Sequence, residues 1–392
     1  MKIGYMYNLQ AFPPRGGNHV HALELVEGFL EAGHQVLVVD DPTMPGARNY
    51  HSSDSGSLKA FCDAIDVLYI RIDARYLSEW PAVAECMSMA AGRKPIVWEI
   101  NSPANETLAF SWLGGRRAGE TESWLKGLKR WVHATRKLAG IKREEKLRKE
   151  LCRDVDAAIC VSSALGRYAS EALDLRNVKV LPNGGPLISD DEITRRKSLR
   201  QNKAFTVFYS GSAIYPWQGL DFISNAVLRA QSRAPDINFV LAVNQRTEFL
   251  PEGPNVEIRE GLNREGILDS ICCADACVAL HPDYQWSPYG FHNSPMKMFE
   301  YMACMTPVVT SNRAQMAEII HHGKNGLLCD DTADDILNQL IRLRDDPELA
   351  ARLGRAGWEL VQQERSWKHN ADSTLDLFQQ LAGADRLTTS VA

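Results

Sequence analysis

Short apolar runs alternate with amphipathic stretches along most of the chain, and this alternation predicts strands followed by helices. Near the start, residues 2–8 predict a strand, residues 19–33 predict a helix that ends at a glycine, and residues 36–40 predict the next strand. A strand, a loop, a helix and a second strand within forty residues are typical of a right-handed βαβ unit. The pattern therefore predicts an α/β fold with parallel sheets.

The same alternation continues to the end of the chain. Further strands are predicted at 64–71, 95–100, 157–162, 205–210, 238–243, 256–259, 276–282 and 306–311. Further helices are predicted at 81–92, from 220 onward, and at 334–343, 347–363 and 367–381. Because 392 residues suffice for two domains of ordinary size, we place an N-terminal domain at 1–187 and a C-terminal domain at 203–365. The charged stretch 186–203 is expected to link them.

The stretch from Ser294 onward has the features of an anion-binding helix start. Ser294 is a residue type that caps helices, and Pro295 suits the first helical position. This start would bring the backbone N–H groups of Met296 and Lys297 together with the Lys297 ammonium, as a phosphate requires. Glu300 follows on the same face and could accept a hydrogen bond from a sugar hydroxyl. An ordinary capped helix with a surface ion pair is the alternative.

The strand at 306–311 follows this helix, so a ligand at the helix start would lie at the carboxyl end of a sheet, where open α/β sheets bind nucleotides. The stretch resembles the donor-binding segment of glycosyltransferase family 4, in a branch with a Pro-x-Lys-x-x-Glu donor motif. The resemblance depends on Pro295, Lys297, Glu300, Tyr301, Met302, Ala303, Pro307, Val308, Val309, Glu318, Asn325 and Gly326.

This resemblance implies the GT-B fold, in which two Rossmann-like, doubly wound domains face each other across a cleft. It implies that residues 1–187 bind the acceptor, that residues 203–365 bind the nucleotide-sugar donor, and that a helix at 366–384 returns to the first domain. In such enzymes the loop that contains Gly16 and Gly17 faces the donor phosphates. Glu300 is expected to contact the ribose hydroxyls.

The chain departs from the family pattern in the loop between the first strand and helix of the second domain. Many family members carry an Arg and a Lys there, whereas this chain has Ser212 and Gln218, which can only offer hydrogen bonds. Neutralisation of the diphosphate then falls to the helix start at Ser294, Met296 and Lys297.

Two further departures concern the transferred sugar. The family signature places a first Glu eight residues before Glu300, and this chain has His292 there. Where many members have a sugar-contacting histidine in the first domain, this chain has Glu99 and Asn101. Asn101 could hydrogen-bond the sugar or the attacking hydroxyl, or it could cap the following segment. We treat Lys297, His292 and Asn101 as the candidate catalytic residues.

The composition and charge of the chain argue against some classes of function. The formal net charge of −5 argues against nucleic-acid binding, and no apolar run approaches the roughly 20 residues of a membrane span. We expect a cytoplasmic protein, since no signal peptide precedes the first strand. Residues 116–153 nevertheless contain thirteen Lys and Arg against five Glu. With Trp124, Leu128 and Trp131 on one face, the segment 120–150 predicts either peripheral contact with the inner membrane face or a solvated helix packed on the first domain.

No metal or cofactor is expected. Cys272, Cys273, Cys277 and His281 match no zinc spacing, and their segment is typical of an apolar helix that leads into a strand. The Asp-x-Asp pair at 154–156 directly precedes a predicted strand, so a turn explains it.

The sequence therefore predicts a retaining transfer of a hexosyl unit from a nucleotide sugar, UDP-linked, to an acceptor hydroxyl. The product would be a glycan, a glycolipid or a secondary-metabolite glycoside. The sequence does not distinguish between two kinds of acceptor, a lipid-linked saccharide and a small sugar or aminocyclitol. Two alternatives remain, a non-catalytic GT-B partner subunit that binds nucleotide sugar and a nucleotide-sugar epimerase.

Overall fold

The computed structural model describes residues 1–14, 16–106, 124–201, 203–247, 250–284 and 287–389. The strands are β1 (Lys2–Met6), β2 (Gln35–Val39), β3 (Arg48–Tyr50), β4 (Val67–Ile72), β5 (Ile96–Ile100), β6 (Ala157–Cys160), β7 (Val178–Val180), β8 (Thr206–Gly211), β9 (Asn238–Val243), β10 (Val256–Glu260), β11 (Ala276–Ala279), β12 (Val308–Ser311) and β13 (Leu327–Cys329).

The helices alternate with these strands, as the sequence pattern predicts. They are α1 (Gly17–Glu31), α2 (Ser55–Ala64), α3 (Pro81–Ala90), α4 (Trp124–Leu151), α5 (Ser163–Glu171), α6 (Asp190–Lys197), α7 (Leu220–Arg233), α8 (Arg264–Cys272), α9 (Met296–Ala303), α10 (Ala314–Ile319), α11 (Ala333–Asp345), α12 (Pro347–Glu364) and α13 (Trp367–Thr389).

Both sheets are parallel and doubly wound. The first has the order β3-β2-β1-β4-β5-β6-β7 and the second has the order β10-β9-β8-β11-β12-β13. The strand order reverses between β1 and β4 in one sheet and between β8 and β11 in the other. Such reversals open a crevice at the carboxyl ends of the strands, which is where α/β sheets bind ligands. The α/β prediction is confirmed.

Helices cover both faces of each sheet, so the central strands are buried, whereas the edge strands β3, β7 and β10 are partly exposed. All six residues of β4 are buried, and Trp98 in β5 is fully inaccessible to solvent. Such continuous apolar strands are expected in a parallel sheet that is covered on both sides.

The chain crosses between the two sheets twice, and the two crossings touch. The N–H of Gly185 donates to the carbonyl of Arg365 at 2.8 Å, and the N–H of Trp367 donates to the carbonyl of Gly185 at 3.1 Å. A Cβ on Gly184 would lie 2.5 Å from the backbone of Ser366, so only glycine permits this approach. The two sheets are therefore joined by a pair of hydrogen-bonded segments.

The last helix, α13, packs on the N-terminal sheet. The Phe378 ring lies 6.1 Å from that of Phe29 and 5.2 Å from that of Tyr69, measured between centroids. A Cβ on Gly28 would lie 2.5 Å from the Cβ of Ala371, so α1 and α13 are in close contact. Residues from the C-terminal end of the chain thus complete the N-terminal core.

The structure contains elements that hydrophobic periodicity missed. Strand β3 has only three residues, and helix α6 lies in the stretch that we expected to be a linker. The first turn of α6 is acidic, its last turn is basic, and Ser189 caps it by accepting a hydrogen bond from the N–H of Glu192. Because capping and charges stabilise this helix, apolar spacing did not reveal it.

The basic segment forms α4, whose C-terminal half docks on the first domain. Glu144 and Arg148 are fully buried, and Arg148 donates to the carbonyls of Ser102 and Asp73 at 2.9 Å and 2.7 Å. The predicted apolar face of Trp124, Leu128 and Trp131 lies outside the described side chains. Within the described ranges, no helix is both long and apolar enough to span a bilayer.

Candidate active site

Helix α9 begins one residue later than the sequence predicts. Pro295 is its N-cap, and the N–H of Met298 is the first to donate within the helix, to the carbonyl of Pro295 at 3.2 Å. The N–H groups of Met296 and Lys297 therefore precede the first helical hydrogen bond and are available to a ligand. This is the arrangement that favours an anion.

The prediction that Ser294 caps this helix is wrong. The Ser294 hydroxyl accepts a hydrogen bond from the N–H of Asn183 at 2.9 Å, and its carbonyl accepts from the Asn183 amide at 2.8 Å. The Asn183 amide oxygen in turn lies 2.9 Å from Nδ1 of His21 in α1. Ser294 thus ties the start of α9 to the first crossing segment, because the crossing backbone competes for the hydroxyl.

Lys297 lies at the centre of the site. Only 9% of Lys297 is exposed, and its Nζ lies 4.6 Å from the centre of the Tyr209 ring. Within the described part of the chain, Nζ has no hydrogen-bond acceptor. Burial lowers the pKa of the Lys297 ammonium to about 7, and the nearby Glu300 carboxylate offsets part of this shift. Such a cation is suited to an anionic ligand.

Glu300 lies one turn beyond Lys297 and is partly buried. Burial raises its pKa, whereas Arg264 and Lys297 act in the opposite direction. Arg264, at the start of α8, forms an ion pair with Glu24 of α1, which belongs to the opposite domain. An ion pair therefore crosses the cleft next to Glu300.

The glycine loop of the first domain faces this helix start. Gly16 is the N-cap of α1, so that helix begins two residues earlier than predicted. A Cβ on Gly17 would lie 3.2 Å from the sulfur of Met296, which places the first turns of α1 and α9 in contact. Two helix N-termini consequently converge near Lys297, and both favour negative charge.

The loop after β8 supplies no charge. The Ser212 hydroxyl accepts a hydrogen bond from the N–H of Ile214 at 3.4 Å, and the Gln218 side chain lies against Gly211. The carbonyl of Gln218 accepts a hydrogen bond from the Tyr209 hydroxyl at 2.9 Å. Tyr209 therefore connects this loop to Lys297, a link that the sequence did not reveal.

His292 is fully buried at the boundary between the domains. Its Nε2 lies 3.8 Å from a carboxylate oxygen of Glu106, and its ring contacts that of Tyr284 at 5.1 Å between centroids. Its carbonyl accepts a hydrogen bond from the Ser162 hydroxyl at 2.6 Å. Residues of both domains therefore enclose this histidine.

Asn101 belongs to a buried polar cluster at the carboxyl end of the first sheet. Its amide nitrogen donates to Glu99, and its amide oxygen accepts from Arg71 at 3.4 Å. Glu99 also accepts from the Tyr5 hydroxyl at 2.8 Å and lies 2.6 Å from Nε2 of His21. Asn101 is therefore held in place by its neighbours on both sides.

A polar cavity of about 320 Å³ opens between the domains, beside the segment that carries His292. It is lined by Ser162, Ala164, Arg167, Asp283, Tyr289, Gly290, Phe291, Asn312, Arg313, Ala314, Gln315 and Glu318. It lies between the starts of α5 and α10, and the Gln315 amide donates to the carbonyl of Val161, two residues before α5, at 2.6 Å. The cavity is large enough for a small ligand and lies beside the segment that leads into α9.

Sequence reasoning missed His281, which lies in the loop directly after β11. We predicted a strand at 276–282, but β11 ends at Ala279, so the His281 side chain lies at the carboxyl end of the sheet. Its Nδ1 is 2.8 Å from the carbonyl oxygen of Trp217. The histidine-proline pair after a buried strand was the available signal.

The residues of the two sequence patterns that we rejected as metal sites have structural roles instead. One Asp156 carboxylate oxygen accepts a hydrogen bond from the N–H of Ile96 at 2.8 Å, at the start of β5. Cys272 and Cys277 are buried thiols. Among the described residues, no group of three or more His, Cys, Asp or Glu side chains is arranged to hold a metal ion.

Comparisons with known proteins bear on the second domain and on the fold. Residues 204–346 match the family model described as glycosyl transferases group 1. The α-maltose-1-phosphate synthase of Mycolicibacterium smegmatis is 26% identical over 267 residues, which cover 58% of this chain and 64% of that protein. The match thus spans less than two thirds of that relative's length.

Solved structures resemble the whole chain. Sucrose-phosphate synthase from Thermosynechococcus elongatus superposes with a TM-score of 0.68 at 17% identity, over 98% of this chain and 99% of that one. Anabaena HepE, in complex with UDP-glucose, superposes with a TM-score of 0.63 at 16% identity, over 96% of this chain and 99% of that one. The chain therefore has the two-domain GT-B fold, and residues 204–346 are the part that matches the glycosyl transferases group 1 model.

Proposed function

We propose that this protein is a retaining glycosyltransferase that moves a hexosyl unit from a UDP-linked sugar to an acceptor hydroxyl. The observation that carries the proposal is the Lys297 ammonium, which is buried where the first turns of α1 and α9 meet and has no acceptor among the described residues. Burying a cation without a partner is costly, and a diphosphate would supply the missing acceptors.

Each part of the site has a role in this proposal. The N–H groups of Met296 and Lys297, with the Lys297 ammonium, bind the diphosphate and stabilise the charge that develops as it departs. The loop that carries Ser212 and Gln218 adds only neutral contacts, and Gly16 and Gly17 allow α1 to approach from the other domain. Transfer of this kind needs positioning and charge stabilisation, and it requires neither a protein nucleophile nor a metal.

The sugar and the acceptor lie on the cleft side of Lys297. His292 contacts the transferred sugar in this proposal, while Asn101 supports the sugar pocket through its bonds to Glu99 and Arg71. Ser294 acts indirectly, by holding the start of α9. The cavity beside His292 receives the acceptor, a lipid-linked saccharide or a small sugar or aminocyclitol. Peripheral membrane contact through residues 120–150 stays a prediction. UDP-glucose is bound by Anabaena HepE, which shares the fold, and this supports a UDP sugar.

Product analysis tests the proposal directly. The protein is incubated with UDP-glucose, UDP-N-acetylglucosamine or GDP-mannose and a panel of acceptors, and free nucleoside diphosphate is measured by chromatography. The proton coupling constant at the new anomeric centre then reports retention. Release of UDP with a retained anomer is expected. Binding without release would indicate a partner subunit, and an epimerised nucleotide sugar without acceptor would indicate an epimerase.

Replacing Glu300 with alanine is expected to raise the KM for the donor about tenfold or more, with a smaller effect on kcat. A carboxylate that accepts hydrogen bonds from ribose hydroxyls contributes about 1.5–3 kcal/mol, and this binding is the same in the ground state and the transition state. Steady-state kinetics measures the change. Glu359→Ala, an exposed position on α12, is the matched control. An unchanged donor KM in Glu300→Ala would remove the ribose role.

A further inference from the structure

His281 is a buried side chain at the reversal of strand order in the second sheet. It follows β11 directly, next to β8, and only 4% of it is exposed. The Lys297 ammonium is one of its electrostatic neighbours. The histidine therefore lies within the crevice where the proposed donor binds, although no family pattern pointed to it.

The contact with Trp217 fixes the tautomer of this histidine. Nδ1 lies 2.8 Å from a carbonyl oxygen, and a carbonyl can only accept. Nδ1 must consequently carry the hydrogen, so that Nε2 of the neutral ring presents a lone pair. Burial, together with the nearby Lys297 charge, lowers the pKa of His281 to about 3. The ring is therefore neutral in the physiological range and acts as an acceptor.

This acceptor has no protein partner in the described ranges. His281 Nε2 is buried and receives no hydrogen bond there. An unsatisfied buried acceptor costs about 1–3 kcal/mol, so a ligand that donates to it gains affinity. The nearby Nζ of Lys297 has the opposite need, because it is a donor without an acceptor among the described residues. A ligand that satisfies both has a hydroxyl close to a phosphate, as a glycosyl diphosphate does.

The neighbours of His281 indicate which hydroxyl this is. The charged groups that shift the pKa of Glu300, the proposed ribose contact, are Arg264, Glu24 and Lys297. The His281 ring instead contacts that of Phe291 at 5.1 Å between centroids, directly before His292. His281 thus lies on the side of Lys297 that carries the proposed sugar contact.

We propose that His281 binds a hydroxyl of the transferred sugar through Nε2 and thereby contributes to the choice of sugar. This inference rests on the proposed function. The hydroxyl donates its hydrogen to Nε2, while Nδ1–H keeps the loop at Trp217 in place.

Two substitutions separate the acceptor from the loop anchor. His281→Asn puts an amide N–H near the position of Nδ1, so it keeps the bond to Trp217 and loses the acceptor. His281→Gln puts an amide oxygen near the position of Nε2, so it keeps the acceptor and loses the anchor. Calorimetry compares both variants with the wild type. The first ligand is the nucleotide sugar that the wild type binds best among UDP-glucose, UDP-N-acetylglucosamine and GDP-mannose. The second is the matching nucleoside diphosphate, which is UDP for the first two sugars and GDP for GDP-mannose.

Loss of one hydrogen bond corresponds to about a tenfold change in affinity. We expect His281→Asn to weaken binding of the nucleotide sugar about tenfold, while its affinity for the nucleoside diphosphate stays within about threefold of the wild type. His281→Gln should retain most of the sugar-dependent affinity. The reverse order of the two variants, or an equal loss for both ligands in His281→Asn, would overturn the assignment.

A measurement on the wild-type protein tests the proposal even if the variants fail to fold. With nitrogen-15 in the histidines, the NMR signal of the unprotonated Nε2 of His281 should shift when the nucleotide sugar binds and change little with the nucleoside diphosphate. Equal shifts would also overturn the proposal. If the wild type binds neither ligand, the proposed function fails together with this inference. If it binds both but the variants behave alike, only this inference fails.

Discussion

Replacing Lys297 with alanine is expected to lower turnover by at least ~100-fold, which corresponds to about 3 kcal/mol of transition-state stabilisation. The loop after β8 has Ser212 and Gln218 where the family pattern has cations, so among the described residues Lys297 is the cation that neutralises the departing diphosphate, aided by two helix N-termini. The effect should appear mainly in kcat, because charge on the diphosphate increases as the glycosidic bond breaks. Release of UDP under saturating donor measures it.

Two control substitutions separate charge from folding. Lys297→Met removes the ammonium and retains most of the volume next to Tyr209, so it should lose activity like the alanine variant while preserving the thermal midpoint. Lys324→Ala removes an exposed lysine and should behave like the wild type. Normal turnover in Lys297→Met would show that the diphosphate is not bound here.

The lowered pKa of Lys297 also predicts how activity depends on pH. Only the protonated amine is a cation, and in the free enzyme its pKa is about 7. We therefore expect kcat/KM for the donor to be highest below pH 7 and to fall tenfold per pH unit well above it. Lys297→Arg keeps its charge throughout this range, so the decline should disappear in that variant. A flat profile in the wild type would contradict the assignment.

Replacing Glu99 with glutamine is expected to destabilise the folded protein by about 3 kcal/mol at pH 7. Glu99 is buried with Arg71, 4.0 Å away, and with His21. Burial works against its charge, but the contacts with His21 and the Arg71 cation hold the pKa of Glu99 well below its usual value. The substitution leaves Arg71 buried without its counter-charge, and such an orphaned charge is far more costly than a lost surface ion pair.

Urea unfolding measures this loss as a lower midpoint. Glu79→Gln, at an exposed position, is the matched control and should leave the midpoint unchanged. The contribution of Glu99 should be present at neutral pH and disappear only in strong acid, because its folded-state pKa is depressed. Glu99→Gln with wild-type stability would indicate that Arg71 and Glu99 do not form a net stabilising pair.

Sequence pattern predicted the alternation of strands and helices, because a parallel sheet covered on both sides requires continuous apolar strands. It also located the helix start at Met296 and Lys297 to within one residue. It missed α6, which is held by a cap and charges, and it extended the strand at 276–282 past Ala279. That overextension hid His281, since a residue inside a strand is not expected to reach a binding crevice.

Other features of the site depend on contacts between distant segments, which no local pattern encodes. Ser294 has the right chemistry for a helix cap, yet the backbone of Asn183, 111 residues away, takes its hydroxyl. The cluster around Glu99 brings together strands β1, β4 and β5 with α1. Tyr209 and Lys297 meet because β8 lies beside β11 at the reversal of strand order. Only the folded topology determines these neighbours.

The packing of α13 on the first sheet has a consequence for biosynthesis. Phe29 and Tyr69 leave the ribosome early, but Phe378, which covers them, is translated roughly 300 residues later, about 15 to 60 s at ordinary elongation rates. During that interval the nascent first domain exposes an apolar strip, and the whole second domain is translated before the interval ends. The domain that is translated first therefore completes its core last.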